Sequence, residues 1–333
     1  MRFVQDDASG SPYSLVRDLK RLASTITDGE HAADVLEIVG EDGRCAIQDG
    51  NSLSIDDVSS MLSRMRSDLI STLRSNILLG LQTPWLSDLV RNPNRKLVDD
   101  YRCNKVGYNF VSANPILKDH SQDLIKHLFA TSFGQSHFIQ GFGPDGNVLY
   151  NTCALFDFLQ LADQCFLEFA KANHICSGEP MRGDEYSSLN IVNTPSGDRA
   201  FYWSQSQKSV FVWQTYVKTE GSGKAVTNIL RLVAPDWLEI FLLLEVVVRP
   251  VLTHVAYLLW PEDNHVRAYR YKTSWLVRSG DYITGRQFGT SLANSFVDHV
   301  GFPVGLAQWR HWAAYFGDYV KRQHGCGGVN SPS

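Results

Sequence analysis

Two pairs of metal-binding side chains and one glycine-rich loop are the first features of this chain that could do chemistry. His174-Ile175-Cys176 and His324-Gly325-Cys326 are His-x-Cys pairs, and zinc takes such ligands. Their spacing fits no common finger, so no metal site is expected. Gly221-Ser222-Gly223-Lys224 has the composition of a phosphate loop. The Gly-x-x-x-x-Gly-Lys-Ser/Thr pattern, however, needs glycine where Lys218 stands, so no nucleotide cofactor is expected. Taken singly, the basic residues read as ordinary. Arg182 suits a surface or an ion pair, and Lys218 a solvated strand end. Arg310, between Trp309 and Trp312, suits stacking on an aromatic surface.

The elements that would position these residues follow from periodicity. Residues 1–50 are polar with turn signals, which predicts short helices and a mobile start. Ser54-Ile55-Asp56-Asp57 has an N-cap serine and acids for a first turn. The apolar spacing from Val58 to Ile77 predicts a helix to about Leu81, ahead of Pro84. Residues 84–118 read as a loop with short elements. Further helices are expected over 121–132 and 151–172. Arg199–Trp203, Ser209–Val217 and Ala225–Val233 are rich in aromatic and β-branched residues and predict a small antiparallel sheet. Helices resume at Asp236 and run with breaks to Val320. The most apolar stretch, Leu238–Trp260, is interrupted by Glu239, Glu245, Arg249, Pro250 and His254. Such charges are costly in lipid, so it is read as a buried helix broken near Pro250, not a membrane span.

One ordered set of motifs goes further. His174-Ile175-Cys176-Ser177-Gly178-Glu179-Pro180-Met181-Arg182-Gly183-Asp184-Glu185-Tyr186 ends a long helix and precedes the sheet. Asn193-Thr194 follows, then a strand ending in Tyr216-Val217-Lys218, and later Ala307-Gln308-Trp309-Arg310-His311. This succession resembles the tyrosine-recombinase-like domain of fungal mobile elements and telomere-linked RecQ-type helicase proteins, from about Ser54 to Lys321. In that wider family a tyrosine oxygen attacks a DNA phosphodiester and forms a phosphotyrosine link. Two arginine forks hold the non-bridging oxygens, and a hairpin lysine protonates the leaving 5′ oxygen. Fixed donors of this kind contribute a few kcal/mol each to the transition state. The resemblance implies that Arg182 and Arg310 are the two arginines and Lys218 the lysine, with Lys224 its alternative across the turn. It also implies supporting roles for Glu185 and His311.

The sequence departs from that family in two places. Ala307 stands where many members carry a histidine, three residues before the second arginine. After Arg310 the family needs a further helix, a Gly-His pair and the nucleophilic tyrosine. His324, 14 residues after Arg310, is the only counterpart of the late histidine, and no tyrosine follows it. Tyr315 and Tyr319 fall on the helix of Arg310 and suit packing. The resemblance therefore implies a truncated, catalytically inactive member that binds duplex DNA.

Composition bounds these expectations. With 333 residues, 44% hydrophobic and 20% charged, the chain can bury a sizeable core and is not a disordered polymer. The net charge is −4, but of 31 basic and 35 acidic residues, 14 and 9 lie from Arg199 onward, leaving 17 and 26 before it. The C-terminal half can therefore present a cationic face despite the overall sign. Six cysteines without a C-x-x-C pair, and no signal peptide at the start, suit a reduced compartment. That implies a nuclear location, or a cytoplasmic one if the chain is not imported. The expected architecture is mainly α, α+β. A polar segment (1–50) and a helical region (51–172) lead into a recombinase-type domain with a small antiparallel sheet (173–324) and a disordered tail (325–333). Assembly of copies on DNA accompanies that reading. The competing readings are a fragment without function and a protein-interaction module.

Overall fold

The computed structural model describes residues 37–38, 45–48, 50–92, 94–178, 180–216 and 227–323. The chain forms two compact units, one of residues 1–58 and 318–333, the other of residues 59–317. In the first, β1 (Glu37–Ile38), β2 (Cys45–Gln48) and β3 (Asn51–Ser54) make an antiparallel sheet in that order. Among the described residues of 1–50 strands thus stand where short helices were expected, and the rest of that segment, with the mobile start expected of it, lies outside the described residues. Gln48 pairs with Asn51, and Gly50 just ahead of Asn51 takes a φ of +76°, as tight hairpin turns favour. Ser54 then caps helix α1 (Ile55–Thr72) as its sequence indicates. Its Oγ accepts from the Asp57 N–H at 3.0 Å, and the Asp57 carboxylate accepts from the Ser54 N–H at 3.0 Å. A π turn, Leu73–Ile77, ends this helix.

The second unit is mainly helical with small antiparallel sheets. Helices α2 (Pro84–Arg91), α3 (Phe110–Ala113), α4 (Pro115–His120), α5 (Asp123–Ala130) and α6 (Ser132–Phe138) precede a hairpin, β4 (Ile139–Phe142) and β5 (Val148–Tyr150). Helix α5 thus fills most of the span 121–132 where one helix was expected, and α6 begins at its last residue. Thr131 breaks the run and caps the next helix, its Oγ1 accepting from Gly134 N–H. Helix α7 (Thr152–Cys176) is capped by Asn151 and is buried around most of its girth, the condition of a central core helix. The boundary suggested near 172/173 falls inside it.

After the single-turn α8 (Gly183–Ser187) comes the sheet β6 (Phe201–Ser204), β7 (Ser209–Tyr216) and β8 (Thr227–Leu232), antiparallel in that order. Helix α9 (Pro235–Leu242) then continues through a π turn (Leu243–Val248) into α10 (Arg249–Leu259). The helix is not broken near Pro250. The widened turn just ahead of it absorbs the N–H that proline lacks, and Pro250 opens the next segment. By length and composition Pro235–Leu259 could cross a membrane; here 67% of its most apolar window is buried within the protein. Its buried charges, Glu245 and Arg249, are paired. Arg249 donates to both oxygens of Glu245 at 2.7 and 2.8 Å and to the carbonyls of Tyr271, Ser274 and Trp275. Helix α11 (Val266–Thr273), the hairpin β9 (Val277–Arg278) and β10 (Asp281–Tyr282), α12 (Gly285–Val300) and α13 (Leu306–Gln323) complete the chain. Trp275, 1% exposed, is the hub of the core, in ring contact with Phe166, Phe169, Tyr186, Phe201 and Phe241.

Candidate functional site

The site expected from the motifs begins at the last turn of α7. His174 is 1% exposed, its ring edge-on to Tyr186 of α8 and Phe288 of α12 at 5.0 and 5.3 Å. Its Nε2 has no hydrogen-bond partner. Burial, and then the charges of Arg231 and Arg310, lower its pKa to about 3, so the imidazole is neutral. Cys176, on the same turn, donates its thiol to the Ala172 carbonyl. Among the described residues no three His, Cys, Asp or Glu side chains gather as metal ligands do.

Beyond Gly178 (φ +100°) the chain turns, buried Met181 anchors it, and Arg182 is extended as the residue before α8. The Arg-x-x-Glu spacing has a local cause: the Glu185 carboxylate accepts the Arg182 backbone N–H at 3.2 Å, an N3 acid closing on the N-cap. The next residue, Gly183, sits so close to α12 and α13 that a Cβ there would lie 2.9 Å from the Gly285 carbonyl and 2.7 Å from Leu306 Cδ1. A Cβ on Gly285 would in turn lie 2.4 Å from the Asp184 nitrogen. Asp184 accepts the Gly285 N–H at 3.0 Å, joining the two helix starts.

This contact puts Gly183, the residue after Arg182, against Leu306, the first residue of α13, and Arg310 lies one turn further along that helix. Arg182 is exposed and Arg310 half-buried. Two arginines remote in sequence therefore stand on elements in direct contact, and Arg310 also acts electrostatically on His174 at the end of α7. Trp309 and Trp312 are buried and face Phe296 and Phe302, fixing α13. His311 is exposed. Lys218, Lys224 and His324 lie outside the described residues; β7 ends at Tyr216, paired with Thr227. A cleft of about 720 Å³ opens beside the first turn of α12, at Arg286 and Gln287. Lys171, Glu168 and Asp298 of mixed charge line it, and it does not include either arginine.

Arg231 was not singled out in the sequence. It is 5% exposed on β8 opposite Val212, while its neighbour Leu230 is 63% exposed. The strand thus turns its arginine inward and its leucine outward, the reverse of what residue type suggests. Asn193 of the Asn-Thr pair has a structural role. It donates to the carbonyls of Cys103 and Lys105 and accepts from the Arg199 backbone, pinning the 95–109 segment against the sheet. Compared with models of known protein families, with characterised proteins and with solved structures, the chain matches none.

Two predictions arise here. Gly285→Ala forces a methyl into the Asp184 backbone and should cost about 1–3 kcal/mol, read as a lower urea midpoint at unchanged slope. An effect below about 0.5 kcal/mol would show that the glycine contact is not tight. The second concerns pH. Below 6.5 the unfolded chain protonates His174 and the folded one does not, so stability is lost at about 1.4 kcal/mol per pH unit on acidification. Asp163 does the opposite. Burial raises its carboxyl to about 7, although Tyr271 Oη and Ser279 N–H donate to Oδ2. From pH 7 down to 3.8 the folded state binds a proton the unfolded state lacks, and stability rises at a similar slope. The two nearly cancel in the parent protein. In His174→Phe the Asp163 gain should stand alone, so the variant's stability should climb relative to the parent between pH 6 and 4. Parallel pH profiles would refute this.

Proposed function

We propose that this chain is a tyrosine-recombinase-like DNA-binding module that holds a backbone phosphate of duplex DNA between Arg182 and Arg310. The observation that supports the reading is the close packing of Gly183, the residue after Arg182, against Gly285 and Leu306, the latter one turn before Arg310. Guanidinium forks match phosphate oxygens, and the exposure of Arg182 and part of Arg310 leaves both within reach of a ligand as broad as a duplex. Glu185 positions the backbone of Arg182. Lys218 or Lys224 would approach from the β7–β8 connection, and His311 from the outer face of α13. The proposed activity is non-covalent binding of the duplex.

The test is a titration of fluorescent duplex at several salt concentrations. Affinity should fall steeply with salt. Arg182→Ala with Arg310→Ala should weaken it by more than about 100-fold, from two charged hydrogen-bonding contacts of roughly 1.5–3 kcal/mol each, and reduce the salt slope by about one per arginine. Absence of salt-sensitive binding at low ionic strength would overturn the proposal. A salt-stable adduct with nicked duplex would overturn its non-covalent part.

A further inference from the structure

A second surface, away from the two arginines, is built for bases rather than for a duplex backbone. Between Trp260 and Arg286 the chain carries five basic residues and three acidic, Glu262, Asp263 and Asp281, in a protein of net charge −4. The structure interleaves those cations with aromatic rings. Arg267 lies over Trp260 at 4.5 Å and Arg270 over Tyr282 at 5.0 Å, while Tyr257 stacks on His265 at 4.3 Å, nearly parallel. The elements are continuous. α10 packs along α11, Arg267 covers the β9–β10 turn at Gly280, and Arg270 donates to the Gly280 carbonyl at 2.8 Å.

Three tyrosines on this surface are left open: Tyr257, Tyr269 and Tyr282 are 48%, 46% and 54% exposed. Asp263 and Asp281 hold Arg267 and Arg270 in place, and Lys272 and Arg278 are exposed beside them. Hydrophobic burial does not explain tyrosine rings kept half in water. Rings with flanking cations are the composition that takes unpaired bases, each ring stacking on a base while cations follow the phosphates.

We propose that the face formed by α10, α11 and the β9–β10 hairpin binds single-stranded nucleic acid, with Tyr269 and Tyr282 as stacking platforms. This site goes beyond the duplex-binding reading and does not depend on it. The experiment uses the full chain and a fluorescent oligothymidylate of about 12 nucleotides in a low-salt anisotropy titration. Tyr269→Ala and Tyr282→Ala, both on the surface, should each weaken binding about 5- to 100-fold, the range for one stacked base. Both variants should leave duplex affinity unchanged. Arg182→Ala with Arg310→Ala should do the reverse. Failure of either site is thus visible without the other. No oligothymidylate binding by the parent protein, or equal binding by the parent and the double tyrosine variant, would overturn the proposal. So would a concentration-dependent dimer that the tyrosine variants abolish while oligothymidylate affinity stays the same, since the surface would then serve a second copy of the chain.

Discussion

Arg249→Met should lower the unfolding free energy by about 3–5 kcal/mol, the cost of leaving a buried ionic partner alone. The guanidinium is 5% exposed and Glu245 7%. Besides its two bonds to Glu245 it satisfies the carbonyls of Tyr271, Ser274 and Trp275 and lies 4.3 Å over the Phe166 ring. Methionine fills much of the volume but strands a carboxylate and three carbonyls in the core around Trp275. Adding Glu245→Leu removes the stranded charge, so the double variant should be more stable than Arg249→Met alone. Urea midpoints at constant slope measure both. A single variant that loses under 1 kcal/mol would mean that water reaches this pair.

Asp99→Asn should cost a similar amount, about 3–5 kcal/mol. Arg199 and Asp99 form an ion pair at 2.8 Å with side chains 1% and 0% exposed. The guanidinium is held between the rings of Tyr108 and Tyr202 at 4.7 and 4.4 Å. Asp99 also accepts the Trp203 N–H at 2.9 Å, so one carboxylate covers the edge of β6 and neutralises Arg199. Burial pushes the Asp99 carboxyl above its usual range despite the guanidinium beside it. The pair as a whole thus adds little net stability, while breaking it leaves a buried cation unmatched. Asp99→Leu with Arg199→Met should therefore cost less than Asp99→Asn. A double variant worse than the single would show the pair to be a net source of stability. Because this contact ties the 95–109 segment to the sheet, Asp99→Asn should also loosen Tyr101 and Tyr108 in near-UV circular dichroism.

Much of the fold was legible in the sequence because local signals and tertiary demand agreed. Ser54 and Asp57 close a cap over a helix whose apolar spacing was plain, and the aromatic strands pair as their composition suggests. The signal failed where geometry overrode residue type. Gln48 and Asn51 pair in a tight hairpin inside a segment too polar to read as strands. The π turn carries a helix through Pro250, although proline by itself marks a break.

The candidate site divides in the same way. The Arg182–Glu185 spacing is local, three residues on one turn, and a linear pattern can encode it. The order of Arg182, the strands and Arg310 could also be read along the chain. What no linear pattern holds is the approach of Gly183 to Gly285 and Leu306, because close backbone contact depends on which faces of three separate elements meet. Nor could the sequence say that Arg231 faces inward toward His174 while Leu230 faces out: strand alternation fixes that two neighbours point opposite ways, and only packing against the rest of the protein decides which of them is buried.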